Sequence, residues 1–218
     1  MGKHMAAVER TFAIGDLHGE AELLRRLLAA IAPQPTDRLI FLGDYLDRGP
    51  DALGTIQTLD ALAQRCPCVF LLGNHDEEWL DLWDGARFTH CPFIPGARRV
   101  WDQHQGQVPP VIGHFLTKTQ RTHEDGYAWY AHAGARPGVP FWQTPPEVYV
   151  WGEEDFLRSS YDWGKPVVFG HWELAAPLIT ATKIGLDTAA WRSGVLTALQ
   201  METRQVVQVR RDVLASDT

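Results

Sequence analysis

Three short apolar segments of the chain each run directly into a glycine followed by a polar residue. The three junctions are Ile14-Gly15-Asp16, Leu42-Gly43-Asp44 and Leu72-Gly73-Asn74. The first two are followed by leucines at helical spacing. Recurring strand–loop–helix units are typical of α/β sheets, in which ligands bind at the carboxyl ends of the strands. The chain is therefore predicted to collect its polar chemistry at one edge of a sheet.

The last third of the chain returns to strand-like patterns. Further strands are predicted at residues 128–132, 167–170, 179–186, 195–200 and 206–210. Residues from about 77 to 127 are less regular and rich in Pro, Trp and Phe, which indicates a partly helical cap. We find no linker or internal repeat, so we predict a single domain over residues 5–218. Its fold class is α/β, with two packed β-sheets (a β-sandwich) flanked by helices.

Composition excludes several classes of partner. The formal net charge of -7 argues against a protein that binds a nucleic-acid duplex through its backbone phosphates. No apolar run approaches the roughly 18 residues of a membrane span, and no secretory signal is recognisable at the N-terminus. The three cysteines are expected to be free thiols, and the protein is expected to be cytoplasmic. Composition does not predict the oligomeric state.

Five short motifs contain the residues best suited to chemistry. They are Gly15-Asp16-Leu17-His18-Gly19, Gly43-Asp44-Tyr45-Leu46-Asp47-Arg48-Gly49, Gly73-Asn74-His75-Asp76, His132-Ala133-Gly134 and Gly170-His171. Glycines allow the backbone to turn sharply and to approach a ligand closely. A single Asp after a strand is usually a helix N-cap. Five such motifs together instead favour a common site.

The motifs supply a mixed set of oxygen and nitrogen donors. The candidate metal ligands are Asp16, His18, Asp44, Asn74, His132 and His171. Such a set suits Mn, Fe or Zn, whereas an all-oxygen set would suit Mg or Ca. In two-metal sites the ions lie ~3.5–4 Å apart. Asp44 follows the middle of the three N-terminal strands, and we expect it to bridge two cations.

In this order, the five motifs resemble the phosphoprotein-phosphatase family of calcineurin-like metallophosphoesterases, which includes protein phosphatases and symmetrical dinucleoside tetraphosphatases. The similarity runs from Asp16 to His171. It implies a β-sandwich core and two divalent cations, most often Mn²⁺. It also implies that Asp16, His18 and Asp44 bind the first cation. Asp44, Asn74, His132 and His171 would bind the second.

The resemblance also implies roles for the residues around the cations. A hydroxide that bridges the two metals would attack phosphorus in line. Arg48, together with Asn74 and His75, would bind the substrate phosphate. His75 would protonate the leaving oxygen, and Asp47 would hold the tautomer of His75. The predicted catalytic residues are thus His75, Asp47 and Arg48.

Two positions depart from the family pattern. Many bacterial members have an arginine two residues after a tryptophan as a second phosphate contact, whereas here Glu153 follows Trp151 at that spacing. A carboxylate there would repel phosphate unless another cation compensates, and Arg158 and Arg192 are the candidates. Trp172, after Gly170-His171, is similar to the tetraphosphatases, while Asp47-Arg48-Gly49 has the protein-phosphatase form.

These features lead to three functional hypotheses. The first is a phosphomonoesterase that acts on phosphoserine or phosphothreonine proteins and on small aryl phosphates. The alternative is a symmetrical hydrolase of dinucleoside polyphosphates such as diadenosine tetraphosphate. The third is a weakly active metal-binding domain that recognises phosphorylated partners, and the presence of Arg48 and His75 argues against it.

Overall fold

The computed structural model describes residues 10–212, so the outer ends of the predicted domain, 5–9 and 213–218, lie outside the described residues. Within this part of the chain, ten strands form two five-stranded sheets. The strands are β1 (Thr11–Ile14), β2 (Arg38–Phe41), β3 (Cys68–Phe70), β4 (Thr122–Glu124), β5 (Trp129–Ala131), β6 (Val167–Phe169), β7 (Leu178–Ile179), β8 (Lys183–Gly185), β9 (Val195–Gln200) and β10 (Gln205–Arg210).

The described helices all lie between these strands in the chain. They are α1 (Ala21–Ile31), α2 (Ala52–Ala63), α3 (Asn74–Leu80), α4 (Ala97–Gln103), α5 (Pro110–Leu116), α6 (Pro146–Trp151), α7 (Asp155–Arg158) and α8 (Ala190–Ser193). A short 3₁₀ turn spans Phe141–Gln143. Among the described helices, none combines the length and the apolar character that crossing a bilayer requires.

The first sheet has the strand order β10-β9-β1-β2-β3. Strands β1, β2 and β3 are parallel, with Ile14 opposite Phe41 and Phe41 opposite Phe70. Their carboxyl ends therefore lie at one edge, as the three glycine junctions predicted. Strands β9 and β10 complete the sheet as an antiparallel pair.

The second sheet has the order β4-β5-β6-β8-β7, and its three central strands are parallel. The prediction of one strand over 179–186 is wrong, because β7 and β8 form an antiparallel hairpin. The backbone N–H of Thr180 donates to the Lys183 carbonyl (2.9 Å), and the Thr180 hydroxyl accepts from the Lys183 N–H (2.9 Å). These two bonds close a turn that the apolar pattern of the segment did not reveal.

Alternating side chains of the first sheet face two different layers. Ala13 and Ile40 point towards the second sheet, where they pack with Tyr130 and Val168. Phe12 and Phe41 belong to the cluster formed with the flanking helices. This alternation of faces along each strand produces a β-sandwich with helices outside it, which is the predicted fold class.

The region predicted as a cap contains the end of α3, helices α4 and α5, and strand β4. Trp79, Val100, Ile112 and Phe115 are buried in the same cluster as Phe41. The region thus packs onto the helical side of the first sheet. The limits of the cap, about 77–127, stay a prediction.

A buried lysine anchors the second sheet to the segment around α7. Lys183, on β8, is 5% exposed. Its ammonium donates to the carbonyls of Phe156 (2.9 Å), Leu157 (2.7 Å) and Ser159. A charged donor in this position satisfies carbonyls that would otherwise lack a partner at the end of a short helix.

Replacement of Lys183 by methionine should destabilise the fold by about 2–3 kcal/mol, because several buried carbonyls lose their donor while the apolar stem is retained. Urea denaturation measures the free energy of unfolding. Lys118→Met is the matched control, since the Lys118 side chain is 54% exposed and pairs with Asp60 at the surface. Equal, small changes in the two variants would contradict the anchoring role.

Candidate active site

Side chains that come just after strands of both sheets meet at the carboxyl ends of those strands. Nε2 of His132 lies 3.5 Å from Oδ1 of Asp44 and 3.1 Å from Oδ1 of Asn74. Nδ1 of His171 lies 3.0 Å from the same amide oxygen. The N–H of His171 donates to Oδ2 of Asp16 (3.0 Å). With Nε2 of His18 3.3 Å from Oδ2 of Asp44, the structure brings all six predicted ligands together.

Two of the histidines aim lone pairs at Asp44. Nδ1 of His18 lies 2.9 Å from the Leu46 carbonyl, and Nδ1 of His132 lies 2.7 Å from the Leu42 carbonyl. Each Nδ1 must carry the proton in order to donate to its carbonyl. Burial lowers the pKa of His18 to about 3 and also lowers the pKa of His132, so both rings are neutral. Each Nε2 therefore presents a lone pair to a carboxylate oxygen, an arrangement that a bound cation would satisfy.

Asp16 is a second feature of the site that a bound cation would satisfy. Its Oδ1 is buried and has no hydrogen-bond partner among the described residues. Burial raises the pKa of Asp16 well above its ordinary value, and the nearby carboxylates of Asp187 and Asp44 raise it further. Burial likewise raises the pKa of Asp187 to about 7. A carboxylate that is close to other carboxylates and has one oxygen without a partner suits a metal ion.

Asp44 lies between two groups of donor atoms. One group is Asp44 with His18 and His75, and the other is Asp44 with Asp16 and His132; within each group the donor atoms lie within 4.8 Å of one another. Burial opposes the charge of Asp44, whereas positive charge on His75 favours it and lowers the pKa of this carboxyl. Neither group is one of the predicted ligand sets, since the first contains His75 and the second joins Asp16 with His132, but Asp44 belongs to both. Asp44 is therefore the residue best placed to contact more than one cation.

His75 differs from the other histidines of the site. Its Nδ1 lies 2.7 Å from Oδ2 of Asp47, and its Nε2 lies 3.1 Å from a guanidinium nitrogen of Arg48. Burial lowers the pKa of His75, but the charges of Asp44 and Asp47 and the hydrogen bond to Asp47 outweigh it, so that the pKa is raised. A ring that favours its protonated form is better suited to donate a proton than to bind a metal.

Asp47 and Arg48 surround His75 on two sides. Oδ1 of Asp47 accepts from the indole N–H of Trp79 (2.9 Å), so both of its oxygens are occupied and its orientation is fixed. The Arg48 side chain is 24% exposed, and its second terminal nitrogen lies 3.0 Å from Oε1 of Glu173. The site therefore places an imidazole and a guanidinium side by side at its open face.

The backbone of the site is strained. Non-glycine residues with positive φ include five of the predicted site residues: His18 (42°), Asp44 (53°), Asp47 (66°), Arg48 (57°) and His171 (58°). Each such conformation costs on the order of 1–3 kcal/mol. Strain concentrated at one place indicates that function, not stability, determines the conformation there.

Close packing of backbone against carboxylate explains two of the glycines. A Cβ on Gly73 would lie 2.1 Å from Oδ1 of Asp44, and a Cβ on Gly170 would lie 1.9 Å from Oδ1 of Asp16. Asp76, the last residue of the third motif, accepts from the N–H of Gly73 (3.1 Å) and also from the N–H of Asp44 (2.7 Å). It thus fixes the turn that presents Asp44.

The unusual Glu153 is neutralised by a residue that the sequence did not single out. Nε of Arg136 lies 3.1 Å from both carboxylate oxygens of Glu153, and the terminal nitrogen contacts Oε1 as well. This guanidinium lowers the pKa of Glu153. Arg136 is therefore the cation that neutralises Glu153, whereas Arg192 pairs with Glu173. The expectation that Arg158 or Arg192 replaces the missing phosphate contact stays a prediction. The only sequence signal for Arg136 is its position two residues after the fourth motif.

Asp16→Asn should change stability in opposite directions with and without metal. In chelator-treated protein it removes a disfavoured charge but keeps an oxygen for the His171 N–H, and we expect a gain of about 1 kcal/mol in the free energy of unfolding. The additional stabilisation by Mn²⁺ should shrink, because a ligand is lost. Urea denaturation with chelator and with Mn²⁺ measures both.

Asp81→Asn, at an exposed position, should change either value by less than roughly 0.5 kcal/mol. Lower stability without metal, together with an unchanged response to Mn²⁺, would rule out this account of Asp16.

Comparison with known proteins identifies relatives over most of the chain. A symmetrical bis(5'-nucleosyl)-tetraphosphatase of Janthinobacterium sp. (strain Marseille) is 27% identical over 267 aligned positions, covering 92% of this chain and 96% of that protein. The asymmetrical bis(5'-nucleosyl)-tetraphosphatase PrpE of Anoxybacillus flavithermus (strain DSM 21510 / WK1) is 27% identical, covering 90% and 92%. Because 267 positions exceed the 218 residues of this chain, the first relative contains segments that this chain lacks.

Solved structures give the same result for the fold. The crystal structure of a candidate diadenosine tetraphosphatase superposes with a TM-score of 0.75 at 22% identity, over 93% of this chain and 94% of that one. The sequence model of the family described as calcineurin-like phosphoesterase matches residues 9–172. This match contains all five motifs, and the family implies divalent metal ions. The chain therefore belongs to the calcineurin-like phosphoesterase family and is a hydrolase of phosphate ester bonds.

Proposed function

We propose that the protein hydrolyses dinucleoside polyphosphates symmetrically, with diadenosine tetraphosphate as the representative substrate and Mn²⁺ as the metal. One observation carries this proposal: a relative named as a symmetrical tetraphosphatase aligns with 92% of the chain and is itself covered over 96% of its length. Trp172, which follows Gly170-His171, agrees with it. This hypothesis has better support than the phosphoprotein phosphatase that the sequence suggested first.

The six ligands would hold the two cations in the arrangement expected from the sequence. Asp16, His18 and Asp44 would bind one cation. Asp44 would also bind the second cation, together with Asn74, His132 and His171 from the three remaining motifs. When bound, the cations neutralise phosphate charge and activate the attacking water. The neutral, carbonyl-anchored rings of His18 and His132 support this assignment, because their orientation does not depend on the metal.

Arg48 would bind oxygens of the phosphate under attack. Its guanidinium presents a planar set of donors to a phosphate, and charge develops on those oxygens in the transition state. His75 lies beside Arg48, and His75 and Asn74 would complete the contacts. The 3.1 Å separation between Arg48 and Nε2 of His75 keeps the phosphate-binding and proton-donating groups adjacent.

His75 would donate its Nε2 proton to the leaving oxygen. Asp47 accepts from Nδ1, so Nε2 faces the open site, where it accepts from the Arg48 guanidinium 3.1 Å away. Nε2 would take up its proton when a bound phosphate draws Arg48 away from it. The charges of Asp44 and Asp47 and the hydrogen bond to Asp47 raise the pKa of His75, which favours its protonated form. Asp47 is thereby a positioning residue for His75.

A comparison of three substrates with Mn²⁺-loaded protein tests the proposal. We expect kcat/KM to be highest for diadenosine tetraphosphate, lower for an aryl phosphate and lowest for a phosphopeptide, with ADP as the only nucleotide product. ATP with AMP would contradict symmetrical cleavage. Preference for the phosphopeptide would restore the first hypothesis, and no turnover of any substrate would contradict the hydrolase itself.

The assignment of His75 is tested by the leaving group. For His75→Ala we expect kcat/KM to fall about 100-fold with phenyl phosphate and less than about tenfold with 4-nitrophenyl phosphate, because a more acidic leaving group needs less help from a proton donor. His90→Ala, an exposed histidine, is the control. Equal losses on both esters would reject His75 as the general acid.

A further inference from the structure

A carboxylate beside the candidate active site joins two guanidinium groups. Oε1 of Glu173 lies 3.0 Å from a terminal nitrogen of Arg48, and Oε2 lies 2.6 Å from a terminal nitrogen of Arg192. The indole N–H of Trp191 also donates to Oε1 (3.0 Å). We call these four residues the Glu173 cluster. Sequence patterns gave no signal for Glu173, which simply follows Trp172.

The Glu173 cluster has an excess of positive charge. Two guanidinium groups share one carboxylate, so one unit of positive charge is not neutralised within it. By contrast, Arg136 and Glu153 form a pair with no net charge, and this pair offers little attraction for a second phosphate. Any contact with a further phosphate must therefore be supplied elsewhere around the site.

The aromatic ring of the cluster orders both guanidinium groups. Cζ of Arg48 lies 5.2 Å from the centroid of the Trp191 ring, and Cζ of Arg192 lies 5.6 Å from it. Cation–π contacts of this type restrict the freedom of a long side chain before a ligand arrives. The Arg192 side chain is nevertheless 62% exposed, so its remaining donors are accessible to a ligand.

The backbone that carries Arg192 is also well fixed. Its N–H donates to the Ala189 carbonyl (2.9 Å), and Gly194 closes the turn by donating to the Ala190 carbonyl (3.0 Å). The Ser193 hydroxyl donates to the Thr188 carbonyl (2.7 Å). Arg192 therefore extends from an ordered turn next to Arg48, not from a free loop.

We propose that Arg192 is a specificity-determining residue that binds the phosphate next to the one under attack. Glu173 shows the geometry, because one anionic group already accepts from both guanidinium groups as a phosphate chain would. This inference rests on the proposed function, since only a substrate with a phosphate chain offers a second phosphate. Arg192 thus supplies the charge that Glu153 removes from the usual position.

Another arginine near the site is the rival for this role. A terminal nitrogen of Arg99 lies 3.4 Å from the backbone carbonyl of Arg48. That contact involves the backbone, whereas Arg192 is joined to the Arg48 guanidinium through one carboxylate. The geometry therefore favours Arg192, and Arg99→Gln belongs in the same experiment.

The test measures binding without turnover. Titration calorimetry of the Mn²⁺-loaded protein gives Kd for tripolyphosphate and for orthophosphate under identical metal concentrations. For Arg192→Gln we expect the ratio of the tripolyphosphate Kd to the orthophosphate Kd to rise about tenfold relative to wild type. Arg158→Gln is the matched control and should leave the ratio within twofold. An unchanged ratio in Arg192→Gln, or a larger change in Arg99→Gln, would overturn the proposal.

A double variant separates direct binding from an indirect effect through Glu173. If Arg192 contacts phosphate itself, Arg192→Gln should raise the same ratio in a Glu173→Gln background. Loss of the effect in that background would show that Arg192 acts only by holding Glu173, which contradicts the proposal. Because neither measurement uses a nucleotide, failure to hydrolyse diadenosine tetraphosphate would count against the proposed function alone.

Discussion

The constraint that organises this structure is a cluster of buried electron-donating atoms without positive charge to balance them, at the carboxyl ends of strands from both sheets. His18 and His132 turn neutral nitrogens towards Asp44, and Asp16 has a buried oxygen without a partner. Such groups destabilise a metal-free interior, since buried lone pairs and charges require partners. A cation bound at this common position would satisfy them, and Asp44 belongs to both groups of donor atoms that could hold one.

The rest of the fold stabilises these site residues, several of which have strained backbone conformations. Parallel strands deliver Asp16, Asp44 and Asn74 to one edge, while the second sheet contributes His132 and His171. Two of these residues, Asp44 and His171, have left-handed backbone conformations. The apolar interior between the two sheets, and the helices outside the first, supply the stability that a strained edge lacks.

Much of this organisation could be predicted from the sequence. Apolar segments ending in glycine indicated β1, β2, β3 and the edge at which their polar residues meet, because strand periodicity and turn chemistry are local properties. The hairpin of β7 and β8 was missed, since apolar and polar residues alternate from Ile179 to Thr182 as in a single strand, and no Gly or Pro marks the turn that Thr180 closes.

The pairings around the site could not be predicted in the same way. Arg136 meets Glu153, and Glu173 meets Arg48, across separations of 17 and 125 residues. Such contacts depend on how loops from different strands converge, and no local pattern records that. They nevertheless determine where positive charge is available to a substrate, which is why substrate class was harder to infer than the metal site.

Mn²⁺ stoichiometry tests the central claim most directly. Titration calorimetry of chelator-treated, then dialysed, protein should show two ions bound per chain, because Asp44 is shared by two groups of ligands. Asp44→Asn should weaken both binding events, since the bridge serves both ions. Binding of a single ion by the unaltered chain, or two undiminished events in Asp44→Asn, would contradict a bridged pair of cations at this edge.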